Sequence, residues 1–244
     1  NPVDLKTRSG YLDIELTYPA ILGWDVSGTV VAVGESVTRF APGDNVIGMV
    51  AQPAHRFGTY AERVVADESL FAHAPTGVGL AHAAAIPLAS LTAVQQLDKI
   101  TLAAESTVLV TGAAGAVGRI ASAILLSRGH RVDALARESD TEDLLALGAR
   151  RVFAKPVDLQ AGEYDAVVDT AGVVDTIDSV RDGGAYVSIE DGDQPQPQRG
   201  ITPGKSYVNE DGPGLEEIAG LVTAGTLTVP VAREFGFDEA AQAH

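Results

Sequence analysis

The chain has 244 residues, 45% of them hydrophobic and 20% charged, which is room for two domains with the balance of a globular protein. Lys and Arg total 17 against 33 Asp and Glu, a formal charge of −16; that average field repels a polyphosphate backbone, so no nucleic-acid partner is expected, and an anionic ligand must be held by local features. There is no cysteine, which removes disulfides, thiolate nucleophiles and every Cys-based zinc site.

No apolar run reaches bilayer-spanning length and no secretory pattern opens the chain, so no membrane partner is expected, and a cytoplasmic location is the consistent reading. The sequence starts at Asn1 without Met and stops at His244 inside a helical-type run, so further sequence is expected at both ends. The first ninety residues read as β-rich with turns. Trp24 to Val33, Asn45 to Val50 and Phe57 to Val65 are strand-like, separated by turn signals such as Gly34-Glu35 and Ala41-Pro-Gly-Asp44. Ala81 to Leu97 is Ala- and Leu-rich and reads as helix, with Pro87 early in it.

A regular alternation follows. Strands are expected at 106–111, 131–136, 151–154, 165–169 and 185–189, with helices at 115–128, 140–147, 174–180 and 213–224. Residues 191–204, with Gln-Pro-Gln-Pro-Gln, read as a surface loop. Strands alternating with helices of this length predict a parallel, doubly wound sheet, so the fold class is α/β with a smaller β-rich domain.

The stretch Val108 to Gly118 (VLVTGAAGAVG) carries the most chemistry. A hydrophobic strand runs into a small-residue turn that opens an apolar helix, the arrangement that brings backbone N–H groups close to a dinucleotide pyrophosphate. Thr111, Gly112, Ala113, Ala114, Gly115, Ala116, Val117 and Gly118 are the expected cofactor contacts. Gly115 admits the phosphates, Gly118 lets the helix lie on the sheet, and Ala113 replaces the usual first glycine. The plain alternative is a tight turn that merely needs small residues.

The next strand ends at Ala136, followed by Arg137. An NAD site places Asp or Glu at this tip for the ribose 2′-hydroxyl, whereas an NADP site removes that carboxylate and supplies a cation. With Ala136 at the acidic position, Arg137 and Ser139 are expected to hold a 2′-phosphate, and NADPH is the predicted cofactor. Against this, Glu138 is close, and Arg137 is also readable as an ordinary surface arginine. Thr170, Ala171 and Gly172 after one strand, and Ser188 and Ile189 at the end of another, are expected to reach the same ligand, since ligands bind outside the carboxyl ends of such strands. The five histidines show no metal-like spacing, and no metal site is expected.

These residues resemble the zinc-independent quinone oxidoreductase branch of the medium-chain dehydrogenase/reductase superfamily. The matching blocks are Asn1-Pro-Val-Asp4, Gly23-Trp-Asp-Val-Ser-Gly28, Arg39-Phe-Ala-Pro-Gly-Asp44, Gly58-Thr-Tyr-Ala-Glu62, Ala84 to Ala93, Gly112 to Gly118, Gly225 to Val231 and Asp238 to His244. The resemblance implies a GroES-like catalytic domain, split over residues 1–92 and 229–244, around a Rossmann dinucleotide-binding domain over 93–228. It implies a homodimer and a cleft site in which Asn1, Tyr11, Trp24 and Thr92 face cofactor or substrate. Zinc-dependent members carry Cys and His where Asn1 and Trp24 stand. The implied activity is a zinc-free, NADPH-dependent hydride transfer to a quinone or other small conjugated carbonyl. An enoyl or alkenal reductase of a biosynthetic pathway uses the same geometry, and a non-catalytic NADPH-binding protein stays open because no obligatory catalytic acid is visible.

Overall fold

The computed structural model describes residues 1–12, 16, 18–52 and 54–244. They form two compact units, one of Asn1–Leu88, Asn209–Gly225 and Val229–His244, the other of Ala89–Val208 with Thr226–Thr228.

In the second unit the predicted alternation is present. The elements are helix α3 (Pro87–Leu97, entered from the first unit), β4 (Thr107–Thr111), α4 (Ala116–Ser127), β5 (Arg131–Leu135), α5 (Thr141–Leu147), β6 (Arg151–Phe153), β7 (Tyr164–Asp169), β8 (Val180–Ser188) and β9 (Gly204–Lys205). The six strands are parallel in the order β6-β5-β4-β7-β8-β9. β4 leads through α4 to β5 on one side, while β7 leads to β8 on the other, so the order reverses between β4 and β7. β4 and β7 are buried almost throughout, as expected for strands covered on both faces. Leu109, Leu135, Tyr164, Val167, Tyr186 and Ile201 form one core cluster.

Asp133 sits in the middle of β5 with its side chain fully buried. It accepts from Arg150, Arg151 and the Tyr164 hydroxyl, the last at 2.9 Å. These partners hold its carboxyl below the usual range against the opposing effect of burial.

The first unit contains α1 (Pro2–Ser9), β1 (Asp25–Thr29), β2 (Asn45–Met49), β3 (Phe71–His73), α2 (Leu80–Ala83), α6 (Gly212–Thr223) and α7 (Ala240–Ala243). β1, β2 and β3 make an antiparallel sheet. α6 packs on β3 and β2. Its Leu215, Ile218 and Ala219 are buried, and Glu216 accepts from the His73 N–H. The nucleotide-binding segment expected over 93–228 includes α6, whereas in the structure this helix groups with the first unit.

Several elements differ from expectation. Pro2–Ser9 is a helix within the stretch read as β-rich, started by a proline in its first turn and closed by Gly10 at φ 72°. The expected strand over 57–65 is absent: Gly58, Thr59 and Tyr60 donate to Ile21, Gly23 and Leu22 carbonyls in a crossed pattern, set by the turned backbone of Gly23 at φ 105°. The single helix expected over 81–97 is two, because Pro87 opens a new one. Residues 174–179 form a 3-10 turn rather than an α-helix, and β8 starts five residues earlier than expected. No helix among the described residues is long and apolar enough to cross a membrane.

Candidate functional site

The reversal point of the parallel sheet carries the glycine turn. β4 ends in buried Thr111, and Gly112 turns the chain at φ 58°. Gly115, in extended backbone, caps α4 without a side chain, and its N–H donates to Gly112 O at 2.8 Å. Gly118, in the first turn of α4, lies over the start of the turn: a Cβ there would stand 2.4 Å from Gly112 O and 2.9 Å from Ala113 Cα. The first turn of a helix leaves its N–H groups without intrahelical partners. Gly115 and Ala116 are exposed while Ala113 is fully buried. The turn therefore offers backbone donors and a positive helix end to an anion, and leaves no side chain in the way.

The turn after β7 lies against it. The Thr170 hydroxyl donates to Thr111 O at 2.7 Å, and the Thr170 N–H donates to Thr111 Oγ1 at 3.0 Å. Asp169, 1% exposed, joins the strand ends. Its Oδ1 accepts from Thr111 Oγ1 (2.5 Å), Ala171 N (3.2 Å) and Val173 N (3.1 Å), and its Oδ2 from the Tyr186 hydroxyl and Ser188 Oγ, both at 3.0 Å. The structure thus brings Thr111 through Gly118 together with Thr170, Ala171 and Gly172. Ser188 and Ile189 are placed differently from expectation. The Ser188 hydroxyl turns inward to Asp169, and the Ile189 N–H donates to Asp169 O, so both are engaged beneath the turn. Asp169 escaped notice in the sequence because it reads as the last residue of a strand; its position at a strand's carboxyl end was the available signal.

Arg137 follows Ala136 just beyond the tip of β5. Its side chain is 84% exposed, and its Nε bonds Asp140 Oδ2 at 3.1 Å. Ser139, in the same 3-10 turn, is exposed. The surface pair Arg137–Asp140 contributes under about 1 kcal/mol, so the guanidinium is free to re-aim at a phosphate.

In the first unit, Asn1, Tyr11 and Trp24 have different surroundings. The Asn1 amide donates to Asp25 Oδ2 at 2.6 Å. Tyr11 is 61% exposed and stands near Lys6. Trp24 is 6% exposed, a core residue, and its Nε1 is buried without a partner among the described residues. Thr92 is partly buried on α3 and belongs to the second unit. Asp25, which the sequence reading passed over, is a hub: its Oδ1 accepts from Leu88 N at 2.7 Å. Burial pushes its carboxyl up to about 6; the bonds from Leu88 and Asn1 oppose this, and the nearby Asp4 carboxylate adds to it. Burial, with Asp4 and Asp25, likewise pushes the Tyr60 phenol up to about 12. Among the described residues no group of three or more His, Cys, Asp or Glu is placed to hold a metal ion.

Residues 1–76 match the alcohol dehydrogenase GroES-like domain and residues 147–244 the zinc-binding dehydrogenase family. A chloroplastic NADPH-dependent alkenal/one oxidoreductase of Arabidopsis thaliana is 32% identical over 202 residues, 78% of this chain and 52% of that protein, so the chain spans about half the length of this relative. The crystal structure of an alcohol dehydrogenase superfamily protein from Novosphingobium aromaticivorans superposes with a TM-score of 0.86 at 32% identity, covering 100% of this chain and 82% of that one. The quinone oxidoreductase of Coxiella burnetii superposes with a TM-score of 0.84 at 26% identity over 100% and 82%. The glycine turn at the reversal of a parallel sheet, the antiparallel first unit and these matches agree that the chain belongs to the medium-chain dehydrogenase/reductase superfamily, the superfamily of the alcohol dehydrogenases.

Proposed function

We propose that this chain is a metal-free, NADPH-dependent reductase of quinones or other small conjugated carbonyls. The observation that carries the reading is the turn Gly112–Gly118 at the sheet's reversal point, with Gly118 against backbone and Gly115 and Ala116 exposed at the start of α4. The fit to a dinucleotide is direct: N–H groups, a positive helix end and small residues where phosphates approach. Ala136 at the strand tip, with Arg137 and Ser139 after it, favours the 2′-phosphorylated form. The Arabidopsis relative, an NADPH-dependent alkenal/one oxidoreductase, supports the same cofactor and acceptor class.

When bound, NADPH supplies a hydride. In this reading Gly115, Ala116, Val117 and Gly118 hold the pyrophosphate, and Arg137 pairs with the 2′-phosphate. Thr170 to Gly172 flank the turn, and Thr92 would bond the nicotinamide amide or ribose. A conjugated acceptor is already polarised, so positioning and a few hydrogen bonds to the developing enolate suffice. Asn1 and Tyr11 are the proposed donors to that oxygen, and Trp24 is the proposed apolar residue for a planar acceptor. A carboxamide at Asn1 and an indole at Trp24 are poor zinc ligands, which supports a mechanism without a Lewis-acid metal. The family resemblance carries a homodimer, and the cysteine-free composition is consistent with a cytoplasmic location.

NADPH oxidation is expected to proceed in excess EDTA with a small quinone or a short enal as acceptor, and more slowly with NADH. Loss of turnover on chelation would overturn the metal-free reading. Saturable NADPH binding without turnover would select the non-catalytic alternative. Arg137→Ala is expected to raise the KM for NADPH about tenfold, the worth of one charge-assisted phosphate contact, while leaving that for NADH unchanged. An equal effect on both cofactors would remove Arg137 from the 2′-phosphate site.

A further inference from the structure

The sheet contains two buried aspartates with parallel surroundings and different positions. Asp133 sits mid-strand, where two arginines and the Tyr164 hydroxyl hold it. Asp169 sits at the carboxyl end of β7, beside the end of β4, and no arginine touches it among the bonds described. Its partners are five neutral donors from three separate segments: Thr111 on β4, Ala171 and Val173 in the turn after β7, and Tyr186 and Ser188 on β8. Its carbonyl oxygen accepts from the buried Gln96 Nε2 at 2.9 Å, and the same amide reaches Val187 O at 3.1 Å. The residue before the glycine turn and the residues facing that turn are therefore tied to one carboxylate. Thr111 is doubly engaged: its hydroxyl donates to Asp169 and accepts from the Thr170 N–H. That relay fixes Thr170, whose own hydroxyl and neighbouring Ala171 stand 2.9 and 3.0 Å from where a Cβ on Gly112 would be.

We propose that Asp169 is the positioning residue of the nucleotide cradle, setting the spacing between the turn Gly112–Gly118 and the turn Thr170–Gly172. The inference rests on the proposed dinucleotide site, but its mechanical half stands without it. Asp169 uses both carboxylate oxygens as acceptors, whereas Asn at this position keeps only one and turns an NH2 group toward the donors at the other. Buried donors that lose their acceptor then draw the strand ends apart. All five donors to Asp169 come from outside α4, so the carboxyl takes none of the N–H groups of that helix's first turn.

The matched test uses Tyr186→Phe and Tyr164→Phe, two fully buried tyrosines on the same sheet, each removing one hydroxyl from one aspartate. Asp169→Asn is the stronger third variant. Tyr186→Phe is expected to weaken NADPH binding about threefold to tenfold in fluorescence titration, and Asp169→Asn further, while Tyr164→Phe binds like the parent despite a comparable loss of Tm. Hydrogen exchange, read without any nucleotide, is expected to quicken at Gly112–Gly118 in Tyr186→Phe and not in Tyr164→Phe. If the parent binds no NADPH, the functional reading falls and the exchange experiment still decides the positioning role. Equal exchange and equal affinity changes in the two tyrosine variants would overturn the proposal.

Discussion

Gly118→Ala is expected to abolish usable nucleotide binding, weakening it about 100-fold or more, and to lower Tm by several degrees. The new methyl carbon would stand 2.4 Å from Gly112 O, 2.8 Å from Gly112 C and 2.9 Å from Ala113 Cα. All three are backbone atoms of the turn, so no side chain can rotate away. Either α4 lifts from the sheet, exposing part of Ile120, Ile124 and Leu125, or the turn itself is displaced. Overpacking of this kind costs about 1–3 kcal/mol, and whichever element moves, the N–H groups of α4 no longer converge on one point. Gly115→Ala separates affinity from stability. Its φ of −71° suits any residue, and its Cβ would meet only Gly112 O at 3.2 Å. Its Tm should move by a degree or two, while the added methyl on the exposed approach to the turn weakens NADPH binding about tenfold. Unchanged affinity in both variants would place the dinucleotide elsewhere.

Much of the second unit was legible because its signals are local. β4, α4 and β7 each satisfy propensity, burial pattern and turn chemistry at once, and their limits fall within a residue or two of expectation. The first unit was harder to read. α1 is short, and its proline and glycine punctuation was overlooked amid turn signals of the same composition. The strand expected at 57–65 has the right residue types, yet Gly58 lies so close to Leu22 that a Cβ there would meet its backbone at 2.5 Å; a tertiary contact overrides β-propensity. α6 illustrates a different limit. Its amphipathic pattern predicts a helix but not the sheet that covers it, and the close approach of Gly212 to Ser69 O is a long-range fact. The site divides along the same line. The glycine turn and Arg137 lie on consecutive residues with a known chemical logic. Asp169 draws its side-chain donors from Thr111, Tyr186 and Ser188, 17 to 58 residues away, and Asp25 takes its donors from Asn1 and Leu88, 24 and 63 residues away, which local pattern does not reveal.

Asp25 provides the second large effect. Its carboxyl is pushed up from 3.8 to about 6, chiefly by burial. In the unfolded chain it loses its proton near the ordinary value, so between about pH 4 and 6 the native state holds more protons than the unfolded one. Stability from this group is therefore highest below pH 4, falls as pH rises, and is fully lost above about 6. The shift corresponds to roughly 2–3 kcal/mol, discounted for the partial exposure of the side chain. Asp133, held low by Arg150 and Arg151, pulls the opposite way over lower pH, so the parent's own stability curve mixes the two. The difference between parent and Asp25→Asn isolates the first. An amide keeps the bond from Leu88 N and removes the charge. The variant is thus expected to be less stable than the parent or equal to it near pH 4.5, and more stable by about 1–2 kcal/mol at pH 7.5, in urea unfolding at each pH. A difference that stays flat across this range would mean that Asp25 ionises at an ordinary pKa. A difference that grows toward acid would mean that the Asn1 and Leu88 bonds outweigh burial. Either outcome bears on the reductase reading, because Asn1 is the proposed donor to the acceptor oxygen and its amide is oriented by this carboxylate. A charged Asp25 at neutral pH holds the Asn1 Nδ2 group by a strong bond. In Asp25→Asn that hold weakens, so turnover is expected to fall with the acceptor KM raised and the NADPH KM unchanged.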